Sequence, residues 1–129
     1  MKIKLLVMVL LLAASMIAAP GCDSEQTELE TEAAPIHEVS VSIAESYPEQ
    51  VIVYIKGGLA DSCTTFHDLT AEHSGNTIYI EVTTERPVDA VCAQIYRYFE
   101  RNVNLGSDFT SGQTYTVDVN GVTETFVYP

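Results

Sequence analysis

Gly112 to Tyr128 reads GQTYTVDVNGVTETFVY, and this stretch decides the fold. Tyr115, Val117 and Val119 alternate with Thr114, Thr116 and Asp118, the period of a strand with one buried face. Asn120-Gly121 follows, a pair that accepts the positive φ angles of a two-residue hairpin. Val122 to Tyr128 then returns as the second strand. The same pattern extends upstream. Val39, Val41 and Ile43 share one face of HEVSVSIAES, and Tyr47-Pro48 breaks that strand. Val51 to Ile55 is apolar on both faces, as in a central strand. Gly57-Gly58 is expected to end it, with the loop GGLADS leading to Cys63. Thr64 to Thr70 reads as a short strand, Ser74-Gly75-Asn76 as a turn, and Ile78, Ile80 and Val82 as another strand, stopped by Glu85-Arg86-Pro87.

One segment, PVDAVCAQIYRYFERN from Pro87 to Asn102, fits two patterns. Val88, Val91, Cys92, Ile95 and Phe99 fall at helical spacing, and Pro87 suits a first helical turn. As a strand, VCAQIYRYF is rich in β-formers, and Phe99, Val103 and Leu105 continue an alternation. Strand is the preferred reading because every neighbour is a strand. Tyr115, two residues before Val117 and after a Gly112 turn, resembles the tyrosine corner of immunoglobulin-like sandwiches, in which the phenol bonds back to the chain. About seven short strands over residues 37–129 give the expected fold: an all-β, antiparallel, immunoglobulin-like β-sandwich.

The N-terminus is of a different kind. Met1-Lys2-Ile3-Lys4 is a short positive segment, Leu5 to Ala19 is apolar and uncharged, and Pro20-Gly21 breaks it, the three-part layout of an export signal. The apolar run is shorter than the about 20 residues of a spanning helix. Ala19-Pro20-Gly21-Cys22 resembles the lipobox of bacterial lipoproteins, with alanine where leucine is commonest. The resemblance implies removal of residues 1–21 and lipidation of Cys22 by two or three acyl chains. One chain holds a protein to a membrane only marginally, whereas several hold it stably. The expected address is the cell membrane, lipid-anchored, on the extracytoplasmic face. Residues 22–36, rich in acidic side chains and poor in large apolar ones, read as a flexible acidic tether, and residues 37–129 as the domain.

With Cys22 lipidated, Cys63 and Cys92 remain, and an even pair in an exported chain favours a disulfide. By loop-closure entropy such a bridge is worth roughly 3.6 kcal/mol, a large share of the stability of so small a domain. The chain carries 6 basic against 18 acidic residues, a formal charge of −12. Two of the basic residues, Lys2 and Lys4, lie in the signal. Nucleic acid is bound by neutralising its phosphates with Lys and Arg, so no nucleic-acid partner is expected.

Candidate chemistry is sparse. His67 and His73 bracket HDLTAEH, four metal-capable side chains in seven residues. Such types serve zinc and copper, yet a straight strand would hold the two histidines about 20 Å apart, so a solvated edge is the expected reading and no metal or other cofactor is expected. Ser62, Ser74 and Ser111 sit in turns outside any nucleophile-elbow context. No catalytic set emerges, and the protein is expected not to be an enzyme. Tyr96, Arg97 and Tyr98 form the candidate interface, because Tyr and Arg are favoured at binding hot spots. On a strand, Tyr96 and Tyr98 share one face, with Arg97, Phe99 and Arg101 on the other. Leu59 and Asp61 of the GGLADS loop are the next candidates, since loops on a rigid scaffold often bind.

The stretch 37–129 also resembles small domains of bacterial envelope lipoproteins, through GGLADSCTT, DAVCAQ, FERNVNLG and YTVDVNGVTETF. That resemblance implies fold and disulfide and brings no activity or site. The functional expectation is therefore a non-catalytic protein-interaction module displayed at the bacterial cell envelope, with an envelope protein as partner. The alternatives are a ligand- or metal-binding envelope protein and a sandwich-type protease inhibitor.

Overall fold

Val51, Val53 and Ile55 have no exposed surface at all, and the fold is built around the strand that carries them. The structure is a computed structural model that describes residues 27–129. The expected signal, Cys22 and the start of the expected tether lie outside the described residues. Eight strands follow in order: β1 (Leu29–Ala33), β2 (Ile36–Ala44), β3 (Gln50–Leu59), β4 (Thr65–Ser74), β5 (Thr77–Pro87), β6 (Arg97–Gly106), β7 (Thr114–Val119) and β8 (Val122–Val127). One sheet runs β2-β3-β6. The other joins β1, β5, β7 and β8, with β4 on the far side of β5. No helix occurs among the described residues. The all-β sandwich expected from the alternation is the observed fold, with one strand more than the seven counted.

Period-two patterning places the core. Val51, Val53 and Ile55 of β3 meet Ile78, Ile80 and Val82 of β5 and Val117 and Val119 of β7, all essentially buried. Apolar residues at alternate positions of strands in both sheets point inward together, as a half-buried pleat requires. The tyrosine-corner expectation also holds: Tyr115 is buried and its hydroxyl accepts a hydrogen bond from the Thr110 amide at 2.8 Å. Its ring stacks on Phe126 and meets Phe109 edge-on. At the C-terminus, the buried Tyr128 donates its hydroxyl to the Glu49 carbonyl, tying β8 to the β2–β3 turn.

The β7–β8 hairpin forms as expected, with positive φ at both Asn120 and Gly121, a type I′ turn. Asn120 has a second role. The edge of β5 is paired by β7 as far as Ile80 and by β1 from Thr83 onward. Between them Val82 has no strand partner on that side. The Asn120 amide fills the gap: its Oδ1 accepts from the Val82 N–H, and its Nδ2 donates to the Val82 and Ala34 carbonyls. A side chain here stands in for a strand residue, so the buried backbone groups stay paired.

Four expectations change. First, the sandwich is not antiparallel throughout: β5 and β7 pair in parallel, because β6 crosses to the other sheet and β7 returns in the direction of β5. Second, Leu29–Ala33 and Ile36 belong to the folded domain and not to a flexible tether; β1 pairs with residues 83–87 of β5. All five of its side chains are exposed, so it is held by ladder hydrogen bonds and left no apolar pattern to read. Third, Gly57-Gly58 does not end β3. Both lie inside it, for steric reasons given below. Fourth, Val88 to Tyr96 is neither helix nor strand, and β6 starts only at Arg97. From there Phe99, Val103 and Leu105 turn toward the core as the strand pattern required.

Candidate functional site

On the outer face of the β2-β3-β6 sheet, three rings converge. His37 sits at an irregularity between Ile36 and Glu38 of β2, Tyr98 lies opposite Gly58 in the β3–β6 ladder, and Tyr96 immediately precedes β6. The rings of His37, Tyr96 and Tyr98 meet edge-to-face, with centroids 5.4 to 5.6 Å apart in all three pairs, the arrangement that aromatic quadrupoles favour. His37 Nε2 and the Tyr96 hydroxyl share a hydrogen bond. Lys56 Nζ lies 4.6 Å from the centre of the Tyr98 ring, a cation–π contact. Tyr96 and Tyr98 are 44% and 59% exposed, and Ile95, next to Tyr96 in the chain, is open to solvent.

The glycine doublet makes this face possible. A Cβ on Gly58 would stand 1.8 Å from the Tyr96 hydroxyl, and one on Gly57 would stand 2.2 Å from the Phe99 ring. Gly58 admits a phenol on the outer face and Gly57 admits a phenyl on the inner, so the strand continues where a turn was expected. The Tyr96 ring is half exposed while its hydroxyl lies against the strand. That desolvation, and secondarily the neighbouring Tyr98, push its ionisation above the ordinary value.

The stretch after β3 is built differently. Asp61 is 8% exposed. Its Oδ1 accepts from the Cys63 amide, the Thr64 amide and the Thr64 hydroxyl at 2.8 to 3.0 Å, the local bonding that makes Asp a turn residue. Its Oδ2 pairs with Arg86 at 3.1 Å. The Thr64 hydroxyl first, then the Cys63 amide and Arg86, hold the carboxyl below its usual range, against the opposing effect of burial. Arg97 donates to the carbonyls of Asp61 and Thr64. Arg86 also reaches Glu30 at 3.3 Å and the Cys92 sulfur at 3.3 Å, while its Nε is buried without a partner. An open cleft of about 510 Å³ lies alongside, lined in part by Glu30, Glu32, Asp61, Thr84 and Arg86. Cys63 and Cys92 are joined as a disulfide, as expected.

The sequence-derived candidates thus separate. Tyr96 and Tyr98 are exposed and in contact. Arg97 is adjacent, but its guanidinium is occupied by two backbone carbonyls. Leu59 is 7% exposed and Asp61 is buried, so neither offers a side chain to a partner. The loop reading failed because GGL is strand and Asp61 faces inward to hold its own turn. His37 and Lys56 complete the aromatic site, and only the β2–β3–β6 register brings them to Tyr98.

The histidines of HDLTAEH are not brought together. His67, at a bulge in β4, pairs with Glu85 at 3.0 Å. His73 lies opposite Ile78 at the other end of the hairpin and packs on Phe109 and Tyr115. Among the described residues, the one close group of three potential ligands is Asp61 with the two bridged cysteines. Ser62 and Ser111 hold turns, Ser62 accepting from the Ala93 amide and Ser111 donating to the Pro129 carbonyl.

Comparison with known proteins places the domain among relatives. Residues 53–128 match the family model of the ORF11 beta-sandwich domain. An uncharacterized 10.2 kDa protein in the HgiCIIM 5′ region of Herpetosiphon aurantiacus is 45% identical over 89 residues, covering 69% of this chain and 94% of that protein. Two further uncharacterized 10.2 kDa proteins of the same organism, in the HgiBIM and HgiEIM 5′ regions, are each 46% identical over 79 residues, covering 61% of this chain and 95% of their own length. No solved structure matches.

Proposed function

The chain belongs to the family of ORF11 β-sandwich domains, and from that premise we propose that it is a non-catalytic protein-interaction module, displayed on the outer side of a bacterial membrane by lipid on Cys22. The observation that carries this reading is the exposed triad of His37, Tyr96 and Tyr98 with Lys56. Tyrosines held rigid by their neighbours lose little freedom on binding and bury much area, the attributes of interface hot spots. Ile95, next to Tyr96 in the chain, adds exposed apolar surface. For the anchor, the support is the Ala19-Pro20-Gly21-Cys22 stretch after an uncharged apolar run.

Photo-crosslinking in the native cell tests the surface. A photoreactive amino acid at Tyr98 should give a discrete adduct with an envelope protein, and one at Thr123, exposed on β8, should not. Absence of an adduct from Tyr98, or equal adducts from both positions, would overturn the interaction reading. The anchor has its own measurement: the intact mass of the membrane-extracted protein should correspond to a chain that begins at Cys22 with two or three acyl groups. An unmodified Cys22 would refute lipidation.

A further inference from the structure

The Cys63–Cys92 bridge joins a buried turn to an exposed segment. Between Val88 and Tyr96 no residue is buried. Beyond the bridge, this segment is held to the rest by few backbone bonds: the Val88 amide to the Glu28 carbonyl, the Ser62 amide to the Ala93 carbonyl, and the Ala93 amide to Ser62 Oγ. The two sulfurs have unequal surroundings. Arg86 Nη2 lies 3.3 Å from the Cys92 sulfur; the Cys63 sulfur has the Ser62 hydroxyl at 4.0 Å, and the Asp61 carboxylate, itself paired with Arg86, lies within 4.8 Å of both sulfurs. A guanidinium beside a sulfur stabilises the thiolate and lowers the thiol pKa, and the sulfur with the lower thiol pKa leaves faster in exchange.

We infer that this bridge is a reducible clip that sets whether Tyr96 is docked in the aromatic triad, an inference that rests on the interaction reading of that triad. The reductant is a dithiol. Its first thiolate bonds to the Cys63 sulfur as the Cys63–Cys92 bond breaks, and that electron pair leaves on Cys92 beside Arg86. Its second thiol, deprotonated, then closes the reductant's own disulfide and expels Cys63. Two electrons pass to the bridge; the two protons given up by the dithiol go to Cys63 and to Cys92, or to solvent where Cys92 stays a thiolate. With the segment freed, Tyr96 keeps only its bond to His37 and its contact with Tyr98, and the ring departs from Gly58. Tyr98, paired opposite Gly58 within β6, stays in place. Reduction therefore dismantles half of the patch and leaves the sandwich.

The test uses the full chain and dithiothreitol as the dithiol. On reduction, the amide NMR signals of residues 88–96 and the Tyr96 ring signals should shift toward random-coil positions, while those of Val53, Val82 and Val117 stay. Collapse of the core signals together with the loop would make the bridge a general staple and overturn the inference, and so would an unmoved Tyr96. In the reduced protein at neutral pH, iodoacetamide should modify Cys92 about 10-fold faster than Cys63, and Arg86→Gln should erase that ratio. Equal rates in the parent chain would remove the role of Arg86 without recourse to any variant. A Cys63→Ser/Cys92→Ser double variant should show the released loop with no reductant present; a docked Tyr96 there counts against the clip. These readouts need no partner, so they stand apart from the crosslinking result: a missing adduct with the oxidised chain ends the interaction reading, while a docked loop after reduction ends this one.

Discussion

Asn120 shows how much one side chain can carry in a small sandwich. Two backbone groups, the Val82 N–H and the Ala34 carbonyl, depend on its amide, while the Val82 carbonyl also accepts from the Ala34 N–H, and each buried polar group left unpaired costs about 1–3 kcal/mol. Asn120→Gly keeps the positive φ of the turn and removes only the amide. It should therefore lower stability by about 2–3 kcal/mol, read as a fall in the urea midpoint with an unchanged slope; an unchanged midpoint would mean that water replaces the amide at no cost. Asp61 makes a comparable local set of bonds, with a pH signature. Its folded pKa lies below the ordinary value of 3.8. Its contribution is thus complete above that value and is lost as pH falls through the lower folded one. Asp61→Asn should flatten the fall in stability on acidification below about pH 4. A slope as steep as that of the parent would assign the acid transition to other carboxylates.

At the scale of strands, what could be read was what alternates. β2, β3, β5 and β7 announce themselves through inward residues at every second position, and β8, whose residues are mostly exposed, through the Asn120-Gly121 turn that precedes it. β1 could not be read, because its five residues bury nothing and only the ladder to β5 orders them. Gly57-Gly58 misled because a glycine pair signals a turn, whereas here it makes room for two rings supplied by β6, a long-range fact absent from local sequence. For the same reason Tyr96 and Tyr98 could be chosen from residue type and alternation, while His37 and Lys56 needed the register. A further cross-strand contact joins β3 and β6 on this face. Tyr54 donates its hydroxyl to Glu100 at 2.6 Å, and that bond, followed by desolvation and the charges of Glu100 and Glu38, raises its pKa to about 12. Its stabilising effect is complete below pH 10 and is lost as pH rises toward 12. Ultraviolet titration should show a late-ionising tyrosine that Glu100→Gln returns to the ordinary range; a titration unaltered by Glu100→Gln would break the assignment.

Over the whole molecule, charge is distributed unevenly. Against 18 acidic residues, the four basic ones after Lys4 are Lys56, Arg86, Arg97 and Arg101, and each is engaged. Lys56 lies over Tyr98, Arg101 over Phe66, and Arg86 and Arg97 hold the turn around Asp61. Few cations remain to offset the acidic surface, so self-repulsion opposes folding. Raising salt from about 0.01 M to 1 M shortens the screening length from about 30 Å to 3 Å and should raise the urea midpoint. A midpoint that falls with salt would show that the ion pairs of Arg86 outweigh the repulsion.

The pairing of β1 also sets a direction of approach. Leu29 lies against Pro87, and the Val88 amide bonds to the Glu28 carbonyl, so the backbone leaves the sandwich beside the segment that leads to Tyr96. Five residues lie between Cys22 and Glu28, so the six steps span a contour of roughly 20 Å at most. If the chain is fastened at Cys22, the domain works on a short leash with its aromatic end held toward the lipid surface. The protein it meets would then be a lateral neighbour in the same membrane, and a molecule arriving from the medium would encounter the opposite pole.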